Sequence, residues 1–327
     1  MKEALSGPAL PMKPENQAFV VVPSHNHARF VERCLRSIIN QSLPPLELLV
    51  IDDGSTDASA KLIERTLREC PFPCELIVQA NRGLSATLNE ALKRSYGEYF
   101  AYLGSDDLWL TPFLEARIAA LEQRPGAVLA YGDAFSIDIL DRIIDCTTDW
   151  AAYVDGDVRH MLMTTLAPLS PTVVYRRQAL ERYGWNEKAR LEDYELYLRL
   201  SGDGAFDFNR EVLSAWRIHG QNASLNLSMM MHEKLEAQTR VGPELGFSRE
   251  QIQKFQSLTM FRTAQEYMRR SERTIALRLM FTHLNGVCSW SEGARMIVGL
   301  AAPRSLLRWR KVRRETRAVR QYGSIAT

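Results

Sequence analysis

Pairs of acidic residues follow two short apolar segments of the 327-residue chain. Asp52-Asp53 comes directly after Leu46–Ile51, and Asp106-Asp107 comes shortly after Tyr99–Leu103. Ligands of open parallel sheets bind beyond the carboxyl ends of the strands, so both pairs are expected at one edge of such a sheet. Carboxylates repel a phosphate unless a divalent cation stands between them, and Mg²⁺ and Mn²⁺ bridge phosphates in this way. The pairs therefore suggest a nucleoside diphosphate held through a metal, although turns and helix caps would also account for them.

The segments around these pairs alternate between apolar runs and amphipathic stretches from residue 19 to 132, which predicts an α/β fold with a mostly parallel sheet. We predict strands at 19–22, 46–51, 76–78, 99–103 and 128–131, helices at 28–41, 84–95 and 111–122, and a further helix that ends at 68. The alternation becomes irregular from about 133 to 227, with a short helix at 193–200. Beyond residue 228 only helices are predicted, at 229–240, 249–270 and 272–286. The chain is thus divided into a flexible N-terminal tail (1–17), an α/β domain (18–227) and a helical C-terminal region (228–327).

Composition and motifs exclude several classes of protein. Hydrophobic residues make up 46% of the chain and charged residues 24%, as in proteins that bury a core, which excludes wholesale disorder. No GxGxxG follows the first strand and no GxSxG occurs, which disfavours a dinucleotide site and a serine hydrolase. His25-Asn26-His27 lacks the further ligands that a zinc site needs. The five cysteines are scattered, no apolar run is long enough to span a membrane, and no signal peptide is recognised, so we expect a cytoplasmic protein.

Six short motifs occur in an order and spacing that resemble family 2 glycosyltransferases with the GT-A fold. They are Pro23-Ser24-His25-Asn26, Val50–Asp57, Asn81–Ser85, Gly97–Asp107, Leu191–Leu196 and Trp216–His219. The resemblance covers roughly residues 18–227. It implies a Rossmann-like, mostly parallel sheet flanked by helices, to which this chain adds the helical C-terminal region.

The resemblance also implies which residues hold the donor. Asp52 and Asp53 are expected to contact the base and ribose, His25 stands where the family usually has a tyrosine beside the base, and Arg82 suits the nucleotide or its phosphates. The full set expected to bind the nucleotide sugar is Pro23, His25, Asn26, Asp52, Asp53, Arg82, Gly83, Ser105 and Asp106. Expected ligands of a divalent cation, Mg²⁺ or Mn²⁺, are Asp106, Asp107 and His219. The family pattern begins with Asp where this chain has Gly104, so the cation would rely mainly on Asp106, the diphosphate and waters.

Asp193 resembles the general base of the family. An inverting transfer needs one carboxylate that deprotonates the acceptor hydroxyl as its oxygen attacks the anomeric carbon. Glu192, also on the acceptor side, is the weaker candidate because neighbouring residues of a helix point in different directions. The resemblance implies transfer from a nucleotide-diphosphate sugar, with a UDP-sugar favoured, to a glycan or lipid-linked saccharide in surface polysaccharide synthesis. A catalytically silent subunit that binds a sugar nucleotide and positions a partner enzyme is the alternative.

The charge is distributed unevenly along the chain. Residues 228–327 contain 18 basic and 8 acidic residues, whereas the whole chain has a net charge of only +2. Residues 296–320 combine Leu306, Leu307 and Trp309 with eight basic residues between Arg304 and Arg320, as in helices that lie on an anionic membrane surface. A subunit contact in an oligomer would also explain this segment. Nucleic acid is not an expected partner, because no stacking platform or recognised motif accompanies the charge.

Overall fold

The computed structural model describes residues 17–220, 222–283, 286 and 302–325. The predicted tail at 1–17 therefore lies outside the described residues except for Gln17, as does the 296–301 part of the predicted basic segment. The strands are β1 (Ala18–Ser24), β2 (Glu47–Asp53), β3 (Cys74–Gln79), β4 (Tyr99–Tyr102), β5 (Leu108–Trp109), β6 (Ala127–Ile137), β7 (Ile143–Cys146), β8 (Val174–Arg176) and β9 (Ala205–Arg217).

The helices flank this sheet and continue beyond it. They are α1 (Val31–Ile39), α2 (Ser59–Leu67), α3 (Leu84–Arg94), α4 (Phe113–Gln123), α5 (Arg159–Met163), α6 (Arg177–Glu181), α7 (Glu192–Asp203), α8 (Leu227–Val241), α9 (Arg249–Arg269), α10 (Arg273–Thr282) and α11 (Arg304–Tyr322). The α/β class and the helical C-terminal region are confirmed, since every predicted strand and helix overlaps one of these elements within the described residues.

The first half of the sheet is parallel. Its strands lie in the order β3-β2-β1-β4, and all three pairings are parallel. All seven residues of β1 are buried because helices cover both faces, which is why the strand reads as a continuous apolar run. In α1 the buried residues Val31, Cys34, Leu35 and Ile38 recur at helical spacing and pack on this sheet. The carboxyl ends of β1, β2 and β4 consequently meet at one edge.

The second half of the sheet is mixed. It continues through β8, β6, β9 and β5, with β7 paired to β6; only the β6–β9 pairing is parallel. The 13-residue strand β9 lies between residues 133 and 227, where the alternation of apolar runs and amphipathic stretches becomes irregular. Its sequence mixes charged and apolar residues, and its pairing with β6 contains register shifts, so no regular alternation marks it. Trp216 and Arg217 are the last two residues of β9, and His219 follows two residues after its end.

The helices α8 and α9 share the main hydrophobic core. Ala237, Val241 and Ile252 belong to the same buried cluster as Tyr194 and Tyr197 of α7. A smaller cluster around Phe261, Tyr267 and Met280 joins α9 to α10. The helical region that begins at α8 therefore shares part of its core with the α/β domain and forms the rest in this smaller cluster.

The last helix, α11, has two different environments. In its first half the apolar side chains of Leu306, Trp309 and Val312 are exposed. At its end, Tyr322 packs on Phe135 of β6, and residues 323–325 hydrogen-bond to the β7 hairpin. Within the part of the chain that the structure describes, no helix is long and apolar enough to cross a membrane.

Candidate active site

A cleft of about 490 Å³ opens at the carboxyl edge of the parallel strands. The ends of β1, β2 and β4 form one wall, and the start of α7 together with loop 165–171 forms the other. Its volume lies in the range of small-molecule sites in proteins. Acidic residues from both walls face this space, namely Asp53, Asp106, Asp107, Glu192 and Asp193.

The two carboxylates at the end of β2 are held by the protein itself. Asp53 accepts hydrogen bonds from the backbone N–H groups of Arg82 and Gly83 and from Gln79 Nε2, each at 2.8 Å. Asp52 is fully buried and accepts the backbone N–H of Ser55 at 2.9 Å through Oδ1. Its Oδ2 has no partner among the described residues. The structure thus brings Asp53 to the cleft and leaves Asp52 behind it.

The turn after β1 contacts the same strand end. His25 Nδ1 lies 2.8 Å from the Asp53 carbonyl oxygen, and this exposed imidazole lines the cleft beside Pro23. Asn26 adopts a left-handed conformation (φ +57°) and accepts the backbone N–H of Thr56 at 2.8 Å, so it braces the β2 turn. Of the remaining residues expected to bind donor, Ser105 lines the cleft, whereas Arg82 is exposed and Gly83 caps α3 beside it.

Three side chains from separate elements form a cluster that could hold a metal ion. His219, after β9, places Nε2 2.9 Å from Asp106 Oδ2, and His27, after β1, places Nδ1 3.7 Å from Asp106 Oδ1. The ligand atoms of the three residues lie within 4.8 Å of one another. Burial lowers the pKa of His27, although the charge of Asp106 acts in the opposite direction. A lower pKa favours the neutral imidazole that a metal requires. Although burial acts in the opposite direction, hydrogen bonding to His219 and the nearby His27 keep the pKa of Asp106 below its ordinary value.

Asp107, which the sequence predicted as a metal ligand, is not part of this group. Its Oδ1 accepts the backbone N–H of Arg217 at 2.8 Å, which ties the loop after β4 to the end of β9. Burial and then the neighbouring Asp106 raise its pKa well above the ordinary value. Arg217 is 1% exposed and donates through Nε to the carbonyl oxygen of Asp106 at 2.7 Å. The structure therefore gives Asp107 an anchoring contact and brings His27 into the cluster, whereas the sequence had shown no further ligands for a zinc site beside His25-Asn26-His27.

On the opposite wall, Asp193 and Glu192 occupy the first turn of α7. Asp193 accepts a hydrogen bond of 2.5 Å from the hydroxyl of Tyr102, at the end of β4. Burial raises the pKa of Asp193 to about 6, against the lowering effect of that hydrogen bond. Burial and the charge of Asp193 raise the pKa of Glu192 to about 8. Near neutral pH the pair therefore holds about one proton, which the higher pKa favours on Glu192, and one carboxylate stays ionised.

A second cavity of about 720 Å³ adjoins the cleft on the side of α8 and α9. Trp150, Met230 and Lys234 line both spaces. Burial, followed by the nearby Arg262, lowers the pKa of Lys234 to about 8. The C-terminal helices therefore contribute directly to the walls beside Asp193.

Comparisons with known proteins identify the family. A model of glycosyl transferase family 2 matches residues 19–183, which is half of the chain. The chondroitin synthase of Escherichia coli is 26% identical over 207 residues; the match covers 63% of this chain but only 29% of that protein. This chain thus spans less than a third of the length of that relative.

Solved structures show the same fold. S. aureus TarS in complex with UDP-GlcNAc is 14% identical, with a TM-score of 0.59 over 95% of this chain and 93% of that one. The mannosyltransferase PcManGT from Pyrobaculum calidifontis, in complex with GDP-Man and Mn²⁺, is 16% identical, with a TM-score of 0.59 over 94% and 86%. The sheet, the cleft and the matching family model together define a glycosyltransferase fold. The chain belongs to glycosyl transferase family 2.

Proposed function

We propose that the protein transfers a sugar, with inversion, from a nucleotide-diphosphate sugar to a hydroxyl group of a saccharide acceptor. The observation that carries this proposal is the pairing of two chemically different walls in one cleft. One wall offers Asp53 and the Asp106 cluster, and the other offers Asp193, whose pKa is raised to about 6. A base with a pKa near the working pH is what removal of an acceptor proton requires.

In the proposed step, Asp193 takes the proton of the acceptor hydroxyl while the oxygen forms a bond to the anomeric carbon. The bond from that carbon to the diphosphate oxygen breaks on the opposite face, and the nucleoside diphosphate leaves with the electron pair. Tyr102 holds the carboxylate of Asp193 toward the cleft by its hydrogen bond. Glu192 keeps its own proton at neutral pH, so a second negative charge does not face the leaving diphosphate.

A divalent cation fits the cluster of His27, Asp106 and His219, because a carboxylate and two imidazoles can supply three protein ligands. When bound, it would neutralise charge that develops on the departing diphosphate. The mannosyltransferase with the same fold contains Mn²⁺, which supports a divalent cation here.

The donor is the first property to test. UDP-sugars are the favoured donors, supported by the UDP-GlcNAc complex of TarS, whereas PcManGT contains GDP-Man. Hydrolysis of UDP-, GDP- and dTDP-sugars by the purified protein with Mn²⁺ should single out one nucleotide class. Donor binding without hydrolysis, and without transfer to any saccharide offered, would instead favour the silent binding subunit.

We propose a glycan or lipid-linked saccharide of surface polysaccharide synthesis as the acceptor. The similarity to a chondroitin synthase supports a growing polysaccharide as the acceptor class. The second cavity, which shares Trp150 and Lys234 with the cleft, offers room for saccharide units beyond the reacting one. According to this proposal, residues 18–227 form the catalytic domain and the helical region 228–327 contributes to acceptor binding.

Peripheral attachment to the inner face of the cell membrane is proposed for α11. Leu306, Trp309 and Val312 are exposed on successive turns among basic residues, which suits an interfacial helix on anionic lipid. The double variant Leu306→Ser/Trp309→Ser should reduce co-sedimentation with anionic vesicles at low salt, whereas exposed Thr316→Ala should not. Higher salt should weaken binding of the unaltered protein as the Debye length falls below about 8 Å. If that protein ignores anionic vesicles at low salt, α11 is a subunit contact instead.

A further inference from the structure

The contacts around Asp106 are asymmetric. Oδ2 lies at hydrogen-bonding distance from His219, whereas Oδ1 lies 3.7 Å from His27 Nδ1, too far for a direct hydrogen bond. His27 and Asp106 both line the cleft, and their side chains are 22% and 14% exposed. The gap between Oδ1 and Nδ1 therefore faces the space where a donor would lie.

We propose that His27 is a protein ligand of the cation, which is then held by two imidazoles and one carboxylate and is selected as Mn²⁺ in preference to Mg²⁺. Mg²⁺ strongly prefers oxygen ligands in an octahedral arrangement, whereas imidazole suits first-row transition ions. The inference rests on the proposed function only for the nucleotide, whose diphosphate would complete the coordination.

The surroundings of His27 hold its ring in this place. Its backbone N–H donates to Ser59 Oγ at 3.0 Å, which fixes the turn after β1 on α2. The Phe30 ring packs against both imidazoles, with its centroid 6.2 Å from that of His27 and 5.4 Å from that of His219. The guanidinium of Arg217 covers this phenyl ring at 4.8 Å. Contacts with Ser59, Phe30 and Arg217 thus orient the imidazoles of His27 and His219 toward the carboxylate of Asp106.

Among carboxylates and imidazoles, the loop after β4 contributes only Asp106 to the group that could hold the ion. Gly104 offers no ligand atom, and a Cβ at this position would lie 3.0 Å from Asp106 Oδ1 and 3.2 Å from Asp107 Oδ2. Asp107 uses its Oδ1 on the backbone of Arg217. The turn after β1 consequently supplies the ligand that the β4 loop does not.

A purely positioning role is the competing explanation, because His27 Nδ1 also lies 2.8 Å from Ser105 Oγ. In that case His27 would orient the β4 loop without touching the ion. The number of histidine nitrogens bound to the metal distinguishes the two roles, whereas loss of activity would not.

The experiment is pulsed electron paramagnetic resonance of Mn²⁺ bound to the full chain with UDP, together with calorimetric titration of Mn²⁺ and Mg²⁺. We expect nitrogen couplings from two histidines in the unaltered protein and from one in His27→Ala. Mn²⁺ affinity should fall at least tenfold in His27→Ala and stay unchanged in His232→Ala, a control that removes an exposed histidine on α8. His27→Asp should still bind the ion but with a smaller preference for Mn²⁺ over Mg²⁺, because an oxygen donor replaces a nitrogen.

Two histidine couplings in His27→Ala, with Mn²⁺ affinity within twofold of the unaltered protein, would overturn the inference and leave the proposed function standing. Equal affinity of the unaltered protein for Mn²⁺ and Mg²⁺ would overturn the selectivity. If Mn²⁺ binds with two histidine couplings but no nucleotide binds, the proposed function fails while the metal site stands.

Discussion

The two walls of the cleft use their carboxylates differently. On the wall proposed to bind the donor, the oxygens of Asp53 accept three hydrogen bonds from the β3–α3 segment, and Asp52 accepts one from its own turn. On the wall proposed to face the acceptor, Tyr102 donates to Asp193 and the side chains of Trp185 and Ser170 also lower its pKa, yet burial outweighs them and raises that pKa to about 6. Asp52 and Asp53 therefore build the shape of the site, whereas Asp193 retains affinity for a proton.

This difference separates binding and stability from chemistry. Removing a carboxylate that organises backbone leaves N–H groups without acceptors and should disturb folding or donor affinity. Removing a carboxylate that accepts a proton in the transition state should lower the rate alone. The predictions below compare the two walls by this criterion.

Asp193→Asn gives the largest expected effect. Transfer should fall by about 10²–10⁴-fold because the amide cannot act as a general base. Donor affinity should stay within about twofold, since the donor wall is unchanged. Rates are measured by single-turnover transfer and affinity by calorimetry. Transfer above about a tenth of the original rate would show that Asp193 is not the base.

Asp53→Ala should lower stability rather than the chemical step alone. Three donors lose a charged acceptor, so the free energy of unfolding should drop by about 2 kcal/mol or more, measured by urea denaturation. Glu64→Ala, which removes an exposed carboxylate paired with Arg68, is the control and should change stability by well under 1 kcal/mol. Equal stability of the two variants would contradict the organising role of Asp53.

The pH dependence of kcat/KM should follow the ionisation of Asp193. Because Asp193 must be ionised and its pKa is about 6, kcat/KM should fall about tenfold for each pH unit below 6. Glu192→Gln should leave this acidic limb in place, because Glu192, with a pKa of about 8, is already protonated there. A profile of kcat/KM recorded from pH 5 to 8 checks both statements. If the acidic limb moves by more than about one pH unit in Glu192→Gln, the limb reports the ionisation of the Asp193–Glu192 pair instead of Asp193 alone.

Tyr102→Phe is expected to have the smallest effect. The hydrogen bond from Tyr102 favours ionised Asp193, so its loss should raise the pKa of Asp193 and shift the acidic limb upward by about one pH unit. Rates near pH 8 should change only a few-fold. Tyr131→Phe, which removes another buried hydroxyl that donates to a backbone carbonyl, should leave the limb where it is. An unshifted limb in Tyr102→Phe would mean that this contact does not tune the base.

The parallel half of the fold was predictable because its signals are local. Strands β1, β2 and β4 are short apolar runs that are buried almost throughout and are followed by turn residues, so the sequence marks strands and strand ends together. The edge strand β3 is only partly buried. The acidic pairs were placed correctly at one edge by that logic, and the cleft contains Asp53 and Asp106 as expected.

The rest depended on contacts between distant segments. His27 and Asp106 are 79 positions apart, and only the pairing of β1 with β4 brings them together. The role of Asp107 could not be predicted either, because its acceptor contact is with the backbone of Arg217 on β9, a strand without regular alternation. A usable signal for His27 was present: a second histidine lies two residues after His25 at a strand end that faces an acidic pair.

The tail that follows α11 has a consequence for solubility. Ser324 pairs with Arg142 beside β7, and the carbonyl oxygen of Gly323 accepts the backbone N–H of Ile143 at 3.0 Å. These contacts cover the outer edge of β7, which pairs with β6 on its other side. Uncovered strand edges recruit strands from other molecules and promote aggregation. Shortening the chain before Gly323 should therefore promote self-association through β7, so the role of α11 at membranes is better tested by point substitutions than by truncation.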